Sequence, residues 1–460
     1  MKRVASLILA AAIPLAVSAQ TPAPAAPEKA IVEQSSTATV VETRKGEVVT
    51  EKTTTVAVIA EKKSPITFTP YGFVLLNAFF SDAPFSSKLY PGQVLPCPAM
   101  GTTTGCNVGG SFNMTAQQTR LGFNLAFDDT AGWTKAKLAG RVEADFNGGW
   151  PPTITNSTGF YNTLFRLRLA YMTATWGGFS ILAGQDYGLV APLFATSVAW
   201  QAVPLFWQAG NLWNRSPQIK VAFDATPKSG FAFGLAAAAL NPSDATTDVP
   251  VGSSPGAAID FGAGNRSRLP AFEGRVYAGL RTDGVKTVEL GFSGHTNTRR
   301  YNSPGNGETF DVNENVVALD LDVNLWIINL RGEMWHGNAI DDFYAGIVSP
   351  PVVIRTAGTP ANITKVQTVP TEGMWAQLVL KPFGFLQLSV GYGVEVATTA
   401  DMVGLPAATR YRNSQFAWGV IFPAGKNWRF SVEGCNTITN YYGGANSEGA
   451  MYAVSSQLTF

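Results

Sequence analysis

The chain has 460 residues, and its 33 basic and 32 acidic side chains give a formal charge of +1, which argues against a nucleic-acid partner held by bulk charge. Charged residues make up 14% of the chain, well below the roughly one quarter that is usual in soluble domains, whereas aromatic residues reach 11%. Because there are only two histidines and three cysteines, we predict no cofactor, no metal and no catalysis.

The first part of the chain has the pattern of an export signal. A basic head, Met1-Lys2-Arg3, precedes an apolar stretch over 4–17, and the small residues of Val17-Ser18-Ala19 fit a cleavage site before Gln20. The stretch is short for a membrane-spanning helix, so cleavage is favoured over an uncleaved anchor. We therefore predict a signal peptide over 1–19.

Residues 20–64 differ from the rest of the chain. They begin with a run rich in proline and alanine, continue with threonine, valine, glutamate and lysine, and contain no aromatic residue. Such a composition cannot bury a core. We predict a flexible periplasmic extension over 20–64 and a separate domain over 65–460.

From residue 65 onward, apolar residues alternate with polar or small ones. Val317, Leu319 and Leu321, for example, enclose Asp320 and Asp322 in the same stretch. Alternation with period two indicates β-strands with one apolar face. It predicts about sixteen strands, the even number expected of a bacterial membrane barrel, near 66–81, 115–127, 134–147, 163–176, 179–186, 216–226, 231–240, 269–281, 286–299, 314–325, 326–337, 372–382, 385–396, 412–423, 427–440 and 450–460.

The connections between these strands alternate in length. Short turns alternate along the chain with long segments rich in glycine, asparagine and serine. Examples of the turns are 176–178 and 424–426, and examples of the long segments are 241–268 and 337–372. A soluble sandwich has no reason to separate its loops in this way, whereas a transmembrane barrel has short periplasmic turns and long external loops. We therefore predict an all-β transmembrane antiparallel barrel, wide enough for an aqueous channel.

The same alternation directs several basic side chains into the lumen of this barrel. On neighbouring strands these are Arg120, then Lys135, Lys137 and Arg141, then Arg166 and Arg168. We predict a positive pore wall, with Arg275 continuing the lining further round. The alternative is structural pairing with the inward acidic residues Glu143, Asp145, Glu273 and Glu289.

The segment from Asp186 to Arg215 is unusually aromatic for a loop. It carries Phe194, Trp200, Phe206, Trp207 and Trp213. Because an exposed surface of aromatic side chains is costly in water, we predict that this loop folds into the lumen as a constriction. The alternative is packing against a neighbouring subunit.

Two cysteines, Cys97 and Cys106, lie in the first predicted external loop. In an oxidising compartment they are expected to form a disulfide that staples this loop outside the basic wall.

An enzyme is the rival class, because the string beginning at His295 faintly resembles the motif of outer-membrane phospholipases. Asn297 stands in place of the nucleophilic serine, so we reject that interpretation.

Several strings are similar to those of DcaP-like trimeric porins. They are Gln118–Phe123, Glu143–Phe146, Phe165–Tyr171, Leu182–Asp186 and Arg215–Ile219. The resemblance implies a sixteen-stranded homotrimer that passes small anions such as dicarboxylates. The terminal Phe460 also resembles the signal that the barrel assembly machinery recognises.

We therefore predict a porin of the bacterial outer membrane, surrounded by lipid, for passive diffusion of small anionic solutes. The alternative is a non-conducting structural or adhesin-type barrel.

Overall fold

The computed structural model describes most of the chain from residue 66 onward and two short strands before it. The described residues are 33–38, 54–59, 66–96, 110–127, 135–148, 163–242, 262–303, 306–343, 347, 352–356, 362–402, 405 and 409–460. The predicted signal peptide and the predicted Cys97–Cys106 disulfide lie outside these residues. The chain divides into two compact units, 1–65 and 66–460.

In the first unit, strand β1 (Glu33–Ala38) pairs antiparallel with strand β2 (Thr54–Ile59). Both strands lie in the segment for which we predicted a periplasmic extension.

The second unit is a closed antiparallel barrel. Strand β3 (Ile66–Ser81) pairs at one end with β4 (Ser111–Thr115) and at the other with β5 (Arg120–Phe127). The remaining barrel strands are β6 (Lys137–Asp145), β7 (Arg166–Trp176), β8 (Phe179–Tyr187), β9 (Arg215–Ala225), β10 (Gly230–Leu240), β11 (Ala271–Thr282), β12 (Val285–Asn302), β13 (Thr309–Leu325), β14 (Ile328–Asn338), β17 (Thr371–Phe383), β18 (Leu386–Ala397), β19 (Arg410–Ala424), β20 (Trp428–Tyr441) and β21 (Ser447–Thr459).

Short elements lie outside the barrel wall. Strands β15 (Val352–Arg355) and β16 (Ile363–Gln367) form a separate two-stranded sheet in the loop after β14, and helix α1 (Ala263–Arg266) precedes β11. Among the described residues, no helix is long and apolar enough to cross a membrane.

The predicted all-β antiparallel barrel of sixteen strands is confirmed. The seventeen barrel segments count as sixteen strands because β4 and β5 together occupy one position beside β3. The prediction of one continuous strand over 115–127 was therefore wrong, since 116–119 interrupt it. The predicted loop over 300–313 is shorter than expected, because β12 continues to Asn302 and β13 begins at Thr309.

Alternation along each strand separates an apolar outer face from a polar inner face. Leu76, Phe80 and Leu319 are exposed on the outside, whereas Gln377 and Gln457 are buried. Aromatic pairs lie beside the short turns, at Trp176–Phe179, Phe383–Phe385 and Trp428–Phe430, with ring centroids 5.9, 5.4 and 4.8 Å apart. These are the positions of an interfacial girdle.

The barrel closes through its last residues. Strand β21 pairs with β3, and Phe460 and Gly72 exchange two backbone hydrogen bonds of 3.1 Å. Closure pairs the two edges of the barrel sheet, which a barrel in lipid requires because no water is available there to pair with free backbone groups.

Candidate functional site

Residues 188–214, between β8 and β9, lie inside the barrel; we call them the inward loop. Its backbone amides donate to side chains that point inward from distant strands. Leu193 N–H reaches Glu333 Oε1 on β14 at 2.5 Å, and Thr196 N–H reaches Gln377 Oε1 on β17 at 2.7 Å. Both partners lie on the neighbouring strands β14 and β17, several strands around the barrel from β8 and β9, which flank the loop. The loop therefore crosses the bore.

Glu433, on β20, anchors the middle of the inward loop. Its Oε1 accepts from the backbone amides of Val198 and Ala199, both at 2.9 Å, and its Oε2 accepts from Ser197 Oγ at 2.5 Å. Ser431 Oγ donates to the same carboxylate at 2.7 Å. A carboxylate that accepts several hydrogen bonds is a strong anchor, because each bond to a charged group contributes about 1.5–3 kcal/mol.

The aromatic side chains of the loop pack against rings inside the barrel. Trp200 stacks on Phe79 at a centroid distance of 6.5 Å, Phe206 on Trp375 at 6.0 Å, Trp207 meets Tyr90 edge-on at 6.4 Å, and Phe194 lies 5.2 Å from Tyr187. The guanidinium of Arg215 lies over the Trp213 ring, and Asp186, at the end of β8, pairs with Lys220 at 2.8 Å.

Phe206 packs closely against β18 of the barrel wall. Its φ is 67°, an unfavourable backbone conformation for a residue with a side chain. A Cβ atom added to Gly393 of β18 would lie 2.3 Å from Ala209 O and 2.9 Å from the Phe206 ring. The glycine therefore makes room for this turn of the inward loop.

Part of the first external loop also folds inward, contrary to our expectation that this loop lies outside. Asn413 Nδ2 donates to Gly92 O at 3.1 Å, Val94 N–H donates to Thr439 Oγ1 at 3.0 Å, and Trp200 Nε1 donates to Leu89 O at 3.2 Å. Segment 82–96 thus packs against both the wall and the inward loop. The alternation of the strands carries no information about loops, so the sequence did not reveal this.

A cluster of four arginines and two carboxylates faces the inward loop from β5, β6, β7 and β9; we call it the basic cluster. Asp145 accepts from Arg166 through two bonds of 2.9 and 2.7 Å and from Arg168 at 2.8 Å. Glu143 accepts from Arg168 at 2.8 Å and lies 3.4 Å from Arg120 Nε. The pairing that we set against the pore-wall hypothesis is thus present in the structure.

The pairs do not neutralise the basic cluster. Arg215 joins it through Tyr187, because its guanidinium lies over that ring and Arg168 Nη2 donates to the Tyr187 hydroxyl. Four guanidinium groups against two carboxylates leave a formal charge of +2 (4 − 2). A cavity of about 130 Å³ lies between Arg120, Arg168 and the inward loop.

The other residues predicted for the positive wall lie elsewhere. Lys137 begins β6 and pairs with Thr175 at the short-turn end, whereas Asp145 and Arg166 pair at the opposite end. Lys135 is exposed just before that strand. Arg141 lies between these ends, with its guanidinium over the Tyr71 ring and its Nε bonded to Asn124.

The wall formed by β11, β12 and β13 carries paired acidic and basic side chains. Arg275 binds Asp320 at 2.6 Å and Glu289 at 3.2 Å, and Glu273 accepts from the backbone amide of Leu189 in the inward loop. Arg275, which we had placed in the positive wall, and Glu273, which we had considered as a pairing partner for that wall, therefore lie on β11 and not in the basic cluster.

The contacts of several wall residues with the inward loop escaped the sequence analysis. Gln118, between β4 and β5, accepts from Gln201 N–H at 2.8 Å and from Ala202 N–H at 3.0 Å, and its own amide donates to Ala199 O at 2.9 Å. Glu333 and Glu433 anchor the loop from β14 and β20, and no pattern in the sequence predicted this role. Inward orientation follows from alternation, whereas the partner across the bore does not.

Arg168 should be essential for stability. Its side chain is 2% exposed, and both of its carboxylate partners are buried. In an Arg168→Gln variant two buried carboxylates lose a partner. We therefore expect the free energy of unfolding to fall by about 3–5 kcal/mol, and the temperature of heat modification on gels to fall with it. Arg300→Gln breaks the exposed Arg300–Asp311 pair and should have little effect. Equal stability of the two variants would contradict the structural role of Arg168.

Comparison with solved structures places the fold among outer-membrane barrels. The outer membrane channel DcaP of Acinetobacter baumannii aligns with a TM-score of 0.64 and 19% identity, covering 87% of this chain and 99% of that chain. The trimer form of OmpT, an outer membrane protein of Vibrio cholerae, aligns with a TM-score of 0.50 and 9% identity, covering 86% and 100%. No family model matches this chain, and no characterised protein matches it by sequence.

The similarity to DcaP that the sequence strings indicated is confirmed at the level of the fold. The closed barrel and its apolar outer face fit the outer membrane of a bacterium, which is the location predicted from the sequence.

Proposed function

From a fold shared with an outer-membrane channel, we propose that this chain is an outer-membrane porin for passive diffusion of small anionic solutes, and not an enzyme. The observation that carries the proposal is the cavity between the basic cluster and the inward loop. A narrow passage with an excess of positive charge favours anions, because a charge acts over about 8–10 Å in salt solution before counter-ions screen it.

The geometry around this cavity suits carboxylates. Arg120 Nη2 donates to Gln201 O of the inward loop, and Arg120 and Arg166 are 18% and 23% exposed, so their guanidinium groups are accessible from water. Guanidinium groups bind carboxylates through two parallel hydrogen bonds. Arg120 lines the cavity and Arg166 belongs to the same basic cluster, so we propose that these two guanidinium groups favour a solute with two carboxylates.

A non-conducting structural barrel is the second candidate. It is favoured by the inward loop and segment 82–96, which both bond to the wall and to each other across the bore. The two candidates differ in one property, the passage of ions.

We expect the full-length protein, reconstituted into planar lipid bilayers, to give discrete conductance steps. The control is the same preparation after heat denaturation. Absence of steps with a barrel that still shows heat modification on gels would favour the non-conducting alternative.

We further propose that the chain is exported with cleavage of residues 1–19, is inserted by the barrel assembly machinery, and forms a homotrimer in outer-membrane lipid. The resemblance to trimeric porins and the trimer form of OmpT support this assembly. The lumen-facing residues given above remain hypotheses for selectivity. The disulfide between Cys97 and Cys106 also stays a prediction.

A further inference from the structure

We propose that this barrel holds a divalent first-row transition metal ion, with Zn²⁺ as the best fit, on His295, Glu314 and Asp342. This site is separate from the basic cluster and does not depend on whether the barrel conducts. His295 lies on β12, Glu314 on β13, and Asp342 in the short 3-10 turn Asp341–Phe343 after β14.

The three side chains converge at one point. His295 Nε2 lies 3.5 Å from Glu314 Oε1 and 3.7 Å from Asp342 Oδ2, and one ligand atom from each residue lies within 4.8 Å of the others. Ligand distances of about 2.0–2.2 Å in a tetrahedral zinc site separate neighbouring ligand atoms by about 3.4 Å. The two separations measured from His295 Nε2 are already close to this value.

Two of the three converging atoms have no hydrogen-bond partner. His295 Nε2 and Glu314 Oε1 are buried and unpaired, and the three side chains are 1%, 0% and 2% exposed. A buried polar atom without a partner is costly and requires an explanation. An ion bound between these atoms satisfies them together.

The surroundings of His295 orient the free nitrogen. His295 Nδ1 lies 3.2 Å from Glu273 Oε1, and the Phe343 ring packs edge-on against the imidazole at 4.8 Å. With Nδ1–H donated to Glu273, the lone pair of Nε2 points at two carboxylate oxygens. Metal-binding histidines commonly donate their other nitrogen to a carboxylate in this way.

The local charge also favours a cation. Glu273, Glu314 and Asp342 surround the His295 imidazole, and Arg299 binds Glu314 at 2.9 Å. Three carboxylates against this guanidinium give a formal charge of −2 (1 − 3). A buried site with such an excess is stabilised by a divalent cation.

One imidazole and two carboxylates also narrow the choice of ion. Imidazole nitrogen suits zinc, iron, copper and nickel, whereas sites made of oxygen ligands alone suit magnesium and calcium. An ion here would join β12 and β13 to the turn after β14. Trp213 N–H of the inward loop donates to Phe343 O of that turn at 3.4 Å, so the ion would also support the end of the inward loop.

The test uses the full-length protein, purified without a histidine tag in lipopolysaccharide-free detergent, stripped with a chelator, incubated with ZnCl₂ and dialysed. We expect elemental analysis to find one zinc per chain. Replacing zinc with Co²⁺ should give visible absorption bands of a low-symmetry site. A folded wild-type barrel that retains no metal would overturn the proposal and favour a proton as the shared cation.

Two variants and a matched control assign the ligands. His295→Gln removes the nitrogen ligand, and Asp342→Asn alters a residue in a loop turn, outside the strands. Both should lose bound zinc and the cobalt spectrum while the barrel stays heat-modifiable. The other histidine of the chain, His336, has an exposed side chain, so His336→Gln should bind as the wild type does. Equal zinc retention in all three variants would contradict the site.

Discussion

The Glu433→Ala substitution should widen the passage and raise the single-channel conductance. Glu433 holds Ser197, Val198 and Ala199 of the inward loop through three hydrogen bonds of 2.5–2.9 Å. Each bond to a charged acceptor contributes about 1.5–3 kcal/mol, so Glu433→Ala frees this part of the loop from β20. We expect larger conductance steps in planar bilayers and faster proteolysis within 195–201.

A matched control is available on the neighbouring strand. Glu448, on β21, is exposed and lies outside the inward loop's contacts in the described part of the chain. Glu448→Ala removes the same charge and should leave the conductance unchanged. If Glu433→Ala kept the wild-type conductance and the same protease pattern with a folded barrel, the inward loop would not be the constriction.

The strands were predictable because their information is local. Alternation of Val317, Asp320 and Leu321 is sufficient to place β13 and to orient its faces, and the same parity directs Arg120 and Arg166 inward. Each of these inferences needs only a few consecutive residues and the requirement that the lipid-facing side be apolar.

The contents of the barrel were not predictable from local patterns. Glu433 and Val198 are 235 residues apart in the chain, and Asn413 and Gly92 are 321 residues apart. Such pairs depend on which loop reaches which wall, and no periodicity records this. The aromatic composition of the inward loop indicated burial. Neither the packing of Phe206 against Gly393 nor the inward path of segment 82–96 could be derived from it.

The proposed metal site illustrates the same limit. A low histidine count argued against metals, and His295, Glu314 and Asp342 show no ligand spacing along the sequence. Register brings them together, because His295 pairs with Val316 and Asn297 pairs with Glu314 across β12 and β13. Asp342 then arrives from a loop that folds over the same wall.

Neutralising the two accessible arginines of the basic cluster should reduce or abolish anion selectivity. Arg120→Gln with Arg166→Gln removes two positive charges, so the formal charge of the cluster falls from +2 to 0 (2 − 2). Arg168 remains to pair with Glu143 and Asp145 at 2.8 Å, which leaves each buried carboxylate with a partner. In a salt gradient, the reversal potential should shift toward cations.

The size of this shift should depend on salt, and a control with the same charge change isolates its origin. Charges in the passage act over about 10 Å at 0.1 M salt and over about 3 Å at 1 M, so the shift should shrink as salt rises. The control variant, Arg300→Gln with Lys365→Gln, also removes two positive charges. Arg300 lies on the outer face of the barrel, and Lys365 is exposed on β16. That variant should keep the wild-type potential. Equal potentials in both double variants, with folded and conducting barrels, would mean that Arg120 and Arg166 serve only the ion pairs of the wall.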